Sequence, residues 1–206
     1  MRNTLIFLVA ASGSGKAWFF EHYLADKNFY RLMSHTTRVM RLGETDGVEY
    51  HFKTGDEKFF EENNWANYLW VNKTQWEAEQ KSGGEKIGKW LYGVLESEVF
   101  AHLRQNLVYD VNEPRYIRSF IDWFRKNNLN YSFKVVKLNA SKEIMDNVRQ
   151  QRANMPHDLE VRKKNTATMK DFKAAGVNIN YRFNTREPEK YPRTLSWLNN
   201  LKCRVA

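Results

Sequence analysis

Residues 4–16 read Thr-Leu-Ile-Phe-Leu-Val-Ala-Ala-Ser-Gly-Ser-Gly-Lys. The apolar stretch Leu5–Ala11 is too short to cross a bilayer, and Gly-Ser-Gly-Lys follows rather than a signal-peptide cleavage region. The continuous apolar run Thr4–Val9 reads as a central parallel strand, buried on both faces. Helical spacing at Phe19, Tyr23 and Leu24 then predicts a helix over Trp18–Leu24. A strand, a glycine-rich turn and a helix in succession aim backbone N–H groups and a helix N-terminus at one point. That arrangement cradles phosphate oxygens, with Lys16 as a mobile positive charge beside them.

Outward from this unit, strand and helix alternate. Phe29–Met33 is predicted as a strand ending at Ser34, Val94–Gln105 as a helix, and Asn106–Val111 as a strand whose end carries Asp110. Pro114 opens a helix to Asn127, Phe133–Leu138 is the next strand, and Ser141 caps a helix to about Gln151. A further helix, a strand near Val177–Phe183 and a terminal helix near Tyr191–Leu201 follow. The alternation predicts an α/β fold: a parallel sheet with helices on both faces.

Bulk properties agree with one folded domain. With 206 residues, 42% hydrophobic and 15% aromatic, the chain can fill a core, and 28% charged residues argue against disorder and for solubility. The net charge of +9 suits a protein that attracts phosphates, and without one long basic run a nucleic-acid tail is not expected. Cys203 is the single cysteine, which excludes an internal disulfide and a cysteine-based zinc site and fits a reducing cytoplasm.

Residues 34–52, Ser-His-Thr-Thr-Arg-Val-Met-Arg-Leu-Gly-Glu-Thr-Asp-Gly-Val-Glu-Tyr-His-Phe, form a second phosphate-binding pattern. Arg38 and Arg41 can converge on one phosphate, Tyr50 adds an O–H donor, and Ser34, Thr36 and Thr37 lie beside a strand end. Two phosphate sites in one small basic domain point to phosphoryl transfer between nucleotides.

These residues carry a resemblance. Ser34-His35-Thr36-Thr37-Arg38, followed by Arg41, Gly43-Glu44, Asp46-Gly47 and Tyr50-His51-Phe52, resembles the monophosphate-binding signature of the guanylate kinase family. The likeness is strong over residues 5–55 and weaker beyond. It implies a P-loop kinase fold in a single domain over residues 1–206: a core of residues 1–33 and 93–206, an inserted monophosphate-binding subdomain at 34–92, and a short lid at about 152–163. Ser12, Gly13, Ser14, Gly15 and Lys16 would bind ATP, with Asn184 near the adenine. Arg38, Arg41, Tyr50 and Tyr92 would hold the acceptor phosphate, Ser34 its base, and Asn112 would face its sugar.

The resemblance further implies that Asp110 works with magnesium through water, and that Arg152 and Arg162 close on the triphosphate. ATP and Mg2+ are the implied cofactors, a nucleoside monophosphate and ATP the partners, and cytoplasm the location. No membrane or nucleic-acid partner is implied, and monomer and homodimer both remain open.

The chain also departs from the pattern G-x-x-x-x-G-K-[ST]. Ala10 replaces the first glycine, and Ala17 replaces the hydroxyl that binds the metal. Val94 stands where the family has a hydroxyl that contacts guanine. The stretch Asn67-Tyr68-Leu69-Trp70-Val71 has no acid where a guanine-binding glutamate is expected. Two readings follow: an ATP-dependent kinase acting on GMP, dGMP or another, even modified, nucleoside monophosphate, or a catalytically inactive binding module for a phosphorylated ligand.

Overall fold

The computed structural model describes residues 2–10, 14–40, 44–69, 91–111, 113–141, 143, 147 and 167–201. Its centre is a five-stranded, all-parallel sheet. The strands are β1 (Asn3–Ala10), β2 (Phe29–Leu32), β7 (Asn106–Asp110), β8 (Tyr131–Asn139) and β9 (Tyr181–Asn184), in the order β2-β7-β1-β8-β9. From β1 the chain passes to β2 on one side, whereas its neighbour β8 leads to β9 on the other. Ligands collect beyond the carboxyl ends of strands at such a divergence.

The period-2 alternation of β1 divides its side chains between two cores. Leu5, Phe7 and Val9 enter one cluster, and Ile6, Leu8 and Ala10 enter the other. Helix α4 (Pro114–Lys126) covers the first face with Tyr116, Ile117, Phe120 and Phe124, the three- and four-residue spacing of one helical stripe. Pro114 sits in its first turn, where a missing N–H costs nothing. Helices α1 (Lys16–Tyr23) and α6 (Pro192–Asn199) close the second face through Phe19 and Leu198. Helix α5 (Met169–Ala174) adds Phe172 to the first cluster.

A second, four-stranded sheet runs β4 (His51–Phe52), β3 (His35–Thr36), β6 (Tyr92–Leu95), β5 (Trp65–Leu69). Helix α2 (Glu57–Glu62) precedes β5, its end capped by Asp56, which accepts from the Phe59 N–H at 3.0 Å. Ala66 and Val94 belong to the first core cluster, so the two sheets share hydrophobic packing.

Two elements differ from expectation. The helix predicted over Val94–Gln105 is only Glu96–Ala101 (α3), and Val94 lies in β6. The local pattern is helical, but pairing of Tyr92–Leu95 with β3 and β5 decides the backbone. The last strand is shorter than predicted, beginning at Tyr181. The helix capped by Ser141 and the lid at 152–163 lie largely or wholly outside the described residues.

Candidate functional site

The turn after β1 brings Gly15 to φ +80°, a left-handed conformation that a side chain would strain. A Cβ there would also stand 2.8 Å from the Thr185 hydroxyl oxygen, just past β9. Gly15 is the N-cap of α1, and its carbonyl accepts from the Phe19 N–H at 2.9 Å. Lys16 opens the helix with its Nζ 3.4 Å from the Ala10 carbonyl, folding its amine back over the end of β1. Thr185 donates to the Ser14 carbonyl at 3.4 Å, so the end of β9 braces the turn. A bare glycine, a lysine and a helix N-terminus in this relation fit the phosphates of a nucleotide. Asn184 is buried and orders its own turn: its amide reaches Glu187 Oε2 at 3.1 Å, and its oxygen accepts from the Arg186 N–H at 3.0 Å.

The second sheet assembles the other end of the site. His35 and Thr36 of β3 pair with His51 and Phe52 on one side and with Gly93 and Tyr92 on the other. This register draws Tyr50 and Tyr92 towards Arg38, which follows β3 directly. The Arg38 guanidinium carbon lies 5.3 Å from the Tyr50 ring centre and 5.4 Å from that of Phe52, and the Tyr50 and Tyr92 rings are 5.6 Å apart. Gly47, at φ +77°, closes the turn that presents Tyr50 and donates to the Tyr50 carbonyl at 2.9 Å.

Arg38 is 2% exposed, an extreme burial for a cation. Its Nη2 meets Glu44 Oε1 at 2.9 Å and its Nη1 donates to the Val39 carbonyl at 2.7 Å. Burial opposes the charge, but Tyr92, Glu44 and Tyr50 outweigh it and hold the guanidinium above the ordinary arginine pKa. A fixed, fully charged fork flanked by two phenols is suited to a phosphate monoester.

Next to this grip is a neutral polar wall. The Ser34 hydroxyl donates to the Tyr109 phenol at 3.3 Å, and the nearby Asn67 amide donates to the Tyr116 carbonyl at 3.4 Å. Asn67 Oδ1 accepts from the Ser119 hydroxyl at 3.3 Å. Burial raises the Tyr109 pKa, with the Ser34 hydrogen bond acting against the rise, so the phenol stays protonated. Val94 pairs with Asn67 in register and is wholly buried in the core. Behind the wall, Glu98 Oε1 accepts from the Met33 N–H at 2.8 Å and fixes the approach to Ser34.

Asp110 ends β7 beside Leu8 of β1. Its Oδ2 is 2.8 Å from Nη2 of Arg31 on β2. These residues do not fit a protein-held magnesium site. The carboxylate is already engaged by a cation, residue 17 has no hydroxyl, and no group of three metal-ligating side chains occurs among the described residues. Among the described residues, no helix is long and apolar enough to cross a membrane.

The structure thus brings Ser14, Gly15, Lys16, Asp110 and Asn184 to the carboxyl ends of the parallel strands, and Ser34, Arg38, Tyr50 and Tyr92 to the second sheet. Ser12, Gly13, Arg41, Asn112, Arg152 and Arg162 lie outside the described residues. Sequence reasoning missed Arg31, Thr185 and the Tyr109 phenol as site neighbours. Tyr109 alone carried a signal, a phenol directly after the apolar pair Leu107-Val108 of its strand.

A parallel sheet with a glycine-lysine phosphate turn after its first strand and an inserted second sheet defines a P-loop kinase fold. The guanylate kinase family model matches residues 1–77. Relatives include the guanylate kinase of Aliivibrio fischeri, 46% identical over 54 residues, 25% of this chain and 26% of that one. That of Cupriavidus pinatubonensis is 49% identical over 55 residues, 26% of each. The matched region therefore spans about a quarter of the length of these curated relatives. The crystal structure of guanylate kinase from Anaplasma phagocytophilum superposes on 99% of this chain and 88% of its own, with TM-score 0.56 and 15% identity, a likeness of fold. Likeness in sequence to guanylate kinases is thus confined to the first 77 residues, and likeness of fold extends over nearly the whole chain.

Proposed function

We propose that the protein transfers the terminal phosphoryl group of ATP to a nucleoside monophosphate, giving the diphosphate. The observation that carries this reading is Arg38. It is a buried cation held at full charge between Glu44 and the phenols of Tyr50 and Tyr92, in one fold with a glycine-lysine phosphate turn. A module that only binds a monoester has no use for that turn.

In this reading, Lys16 and the N–H groups at the start of α1 hold the ATP phosphates and neutralise charge as the terminal group leaves. Arg38, Arg41 and Tyr50, with Tyr92, hold the acceptor phosphate so that one of its oxygens lies in line with the transferring phosphorus. That oxygen is already anionic, so no general base is needed. Arg152 and Arg162 close over the triphosphate, Asn112 faces the acceptor sugar, and residues 34–92 form the acceptor subdomain. Ser34, Asn67 and Tyr109 present hydroxyl and amide groups to the base. Such neutral groups suit an edge that both donates and accepts hydrogen bonds, whereas a carboxylate serves an edge of donors alone. A coupled ATPase assay across the common NMPs and dNMPs, with ATP and Mg2+, tests the proposal. Turnover with at least one acceptor is expected, and absence of turnover with every one refutes it.

A further inference from the structure

Arg31 belongs to β2, but its side chain reaches across to the neighbouring strand end. Nη2 donates to Asp110 Oδ2 at 2.8 Å, while Nη1 approaches the Val48 carbonyl, two residues before Tyr50, at 3.5 Å. The two ion-paired side chains are 26% and 21% exposed, so solvent only partly screens the contact. The guanidinium therefore stands between the ATP end of the site and the turn that carries Tyr50.

Two positions that would favour a divalent cation are thus altered independently. The carboxylate beside the phosphate turn is neutralised by a fixed cation, and the residue after Lys16 is alanine. A carboxylate draws a metal's hydration shell by its charge, and a guanidinium in contact with it cancels most of that attraction. We propose that Arg31 is a positioning residue that takes the place of a divalent cation at Asp110 and ties the strand end to the Tyr50 turn. The metal then arrives and leaves with the ATP phosphates rather than being held by Asp110.

The inference rests on the kinase reading for the metal's companion, ATP, but is tested without turnover. The experiment measures Mn2+ binding by electron paramagnetic resonance in the presence of the non-hydrolysable analogue AMPPNP. The proteins are the unmodified full chain, Arg31→Gln, Arg31→Lys, Asp110→Asn and the double variant Arg31→Gln/Asp110→Asn. Arg31→Gln should bind Mn2+–AMPPNP about tenfold more tightly, the scale of removing one partly screened unit charge. Arg31→Lys, which keeps the charge, should match the unmodified chain, and the double variant should lose the gain. Asp110→Asn alone should change affinity little, because the carboxylate is already engaged.

Equal affinity of Arg31→Gln and the unmodified chain overturns the inference, as does a tenfold loss in Asp110→Asn alone. Either leaves the kinase proposal standing. An unmodified chain that binds no AMPPNP overturns both.

Discussion

Lys16 and His35 show how differently two single residues serve the same fold. Lys16 lies at the start of α1, outside both hydrophobic clusters, and on the proposed chemistry its charge matters only where ATP is bound. Lys16→Ala should abolish turnover in the coupled assay and leave monophosphate affinity by calorimetry nearly unchanged; retained turnover would refute the placement of ATP at this turn. His35 is the opposite case, a buried imidazole packed on His51, Phe59 and Trp65 with its Nδ1 unpartnered. Burial, followed by His51 and Lys53, lowers its pKa from 6.5 to about 4, with Asp46 acting weakly the other way. The folded state therefore holds His35 neutral while the unfolded chain takes up a proton. Its contribution is complete above pH 6.5 and is lost as pH falls towards about 4, roughly 2 kcal/mol by about pH 5. Urea unfolding at about pH 7 and pH 5 should show this loss in the native chain and a smaller one in His35→Phe. An equal loss in both would mean that other groups carry the acid sensitivity.

At the scale of elements, β6 depends on a residue with no side chain. A Cβ on Gly93 would lie 2.3 Å from Trp65 Cε3, and Trp65 cannot easily yield. Its ring stacks on Phe60 at 4.4 Å, and its Nε1–H donates to the Phe60 carbonyl at 2.9 Å. Gly93→Ala should therefore push Trp65 off Phe60 and destabilise the second sheet by about 1–3 kcal/mol, visible in urea unfolding and in the near-ultraviolet dichroism of Trp65. Unchanged stability and spectrum would show that the sheet adjusts freely there. This strand also marks the limit of what the sequence disclosed. β1 was legible because its burial on both faces is written in six adjacent residues, and α4 because Tyr116, Ile117, Phe120 and Phe124 repeat at helical spacing. β6 was not, because its partners lie at residues 35–36 and 65–69, and no local pattern reports pairing across such distances. The site divides in the same way. Gly15, Lys16, Arg38 and Tyr50 were legible as local motifs. The Arg31–Asp110 pair, 79 residues apart, and the Ser34–Tyr109 bond, 75 apart, exist only once the sheet is built.

The whole molecule is a basic body in which two sheets share one core and, on the proposed function, each carries one phosphate grip. With a net charge of +9, its long-range field attracts a phosphate ligand, and that field falls off over about 8 Å at 0.15 M ionic strength and about 3 Å at 1 M. The contact at Arg38 is buried and is screened far less. Ligand affinity should therefore have a salt-sensitive part from the field and a salt-resistant part from the grip. A nucleoside monophosphate at about a hundred times its Kd should stabilise the fold by about 2.7 kcal/mol, a rise in Tm of roughly 5–11 °C for a chain of this size. At fixed ligand concentration, raising salt from about 0.05 to 0.5 M should shrink that rise without abolishing it. Arg38→Ala, unfolded from the same buffers, should show little or no rise at either salt, because the grip itself is gone. Complete loss of the rise at high salt in the native chain would mean that the monophosphate is held by surface charge alone. A monophosphate-induced rise that survives Arg38→Ala would place the acceptor somewhere other than the second sheet.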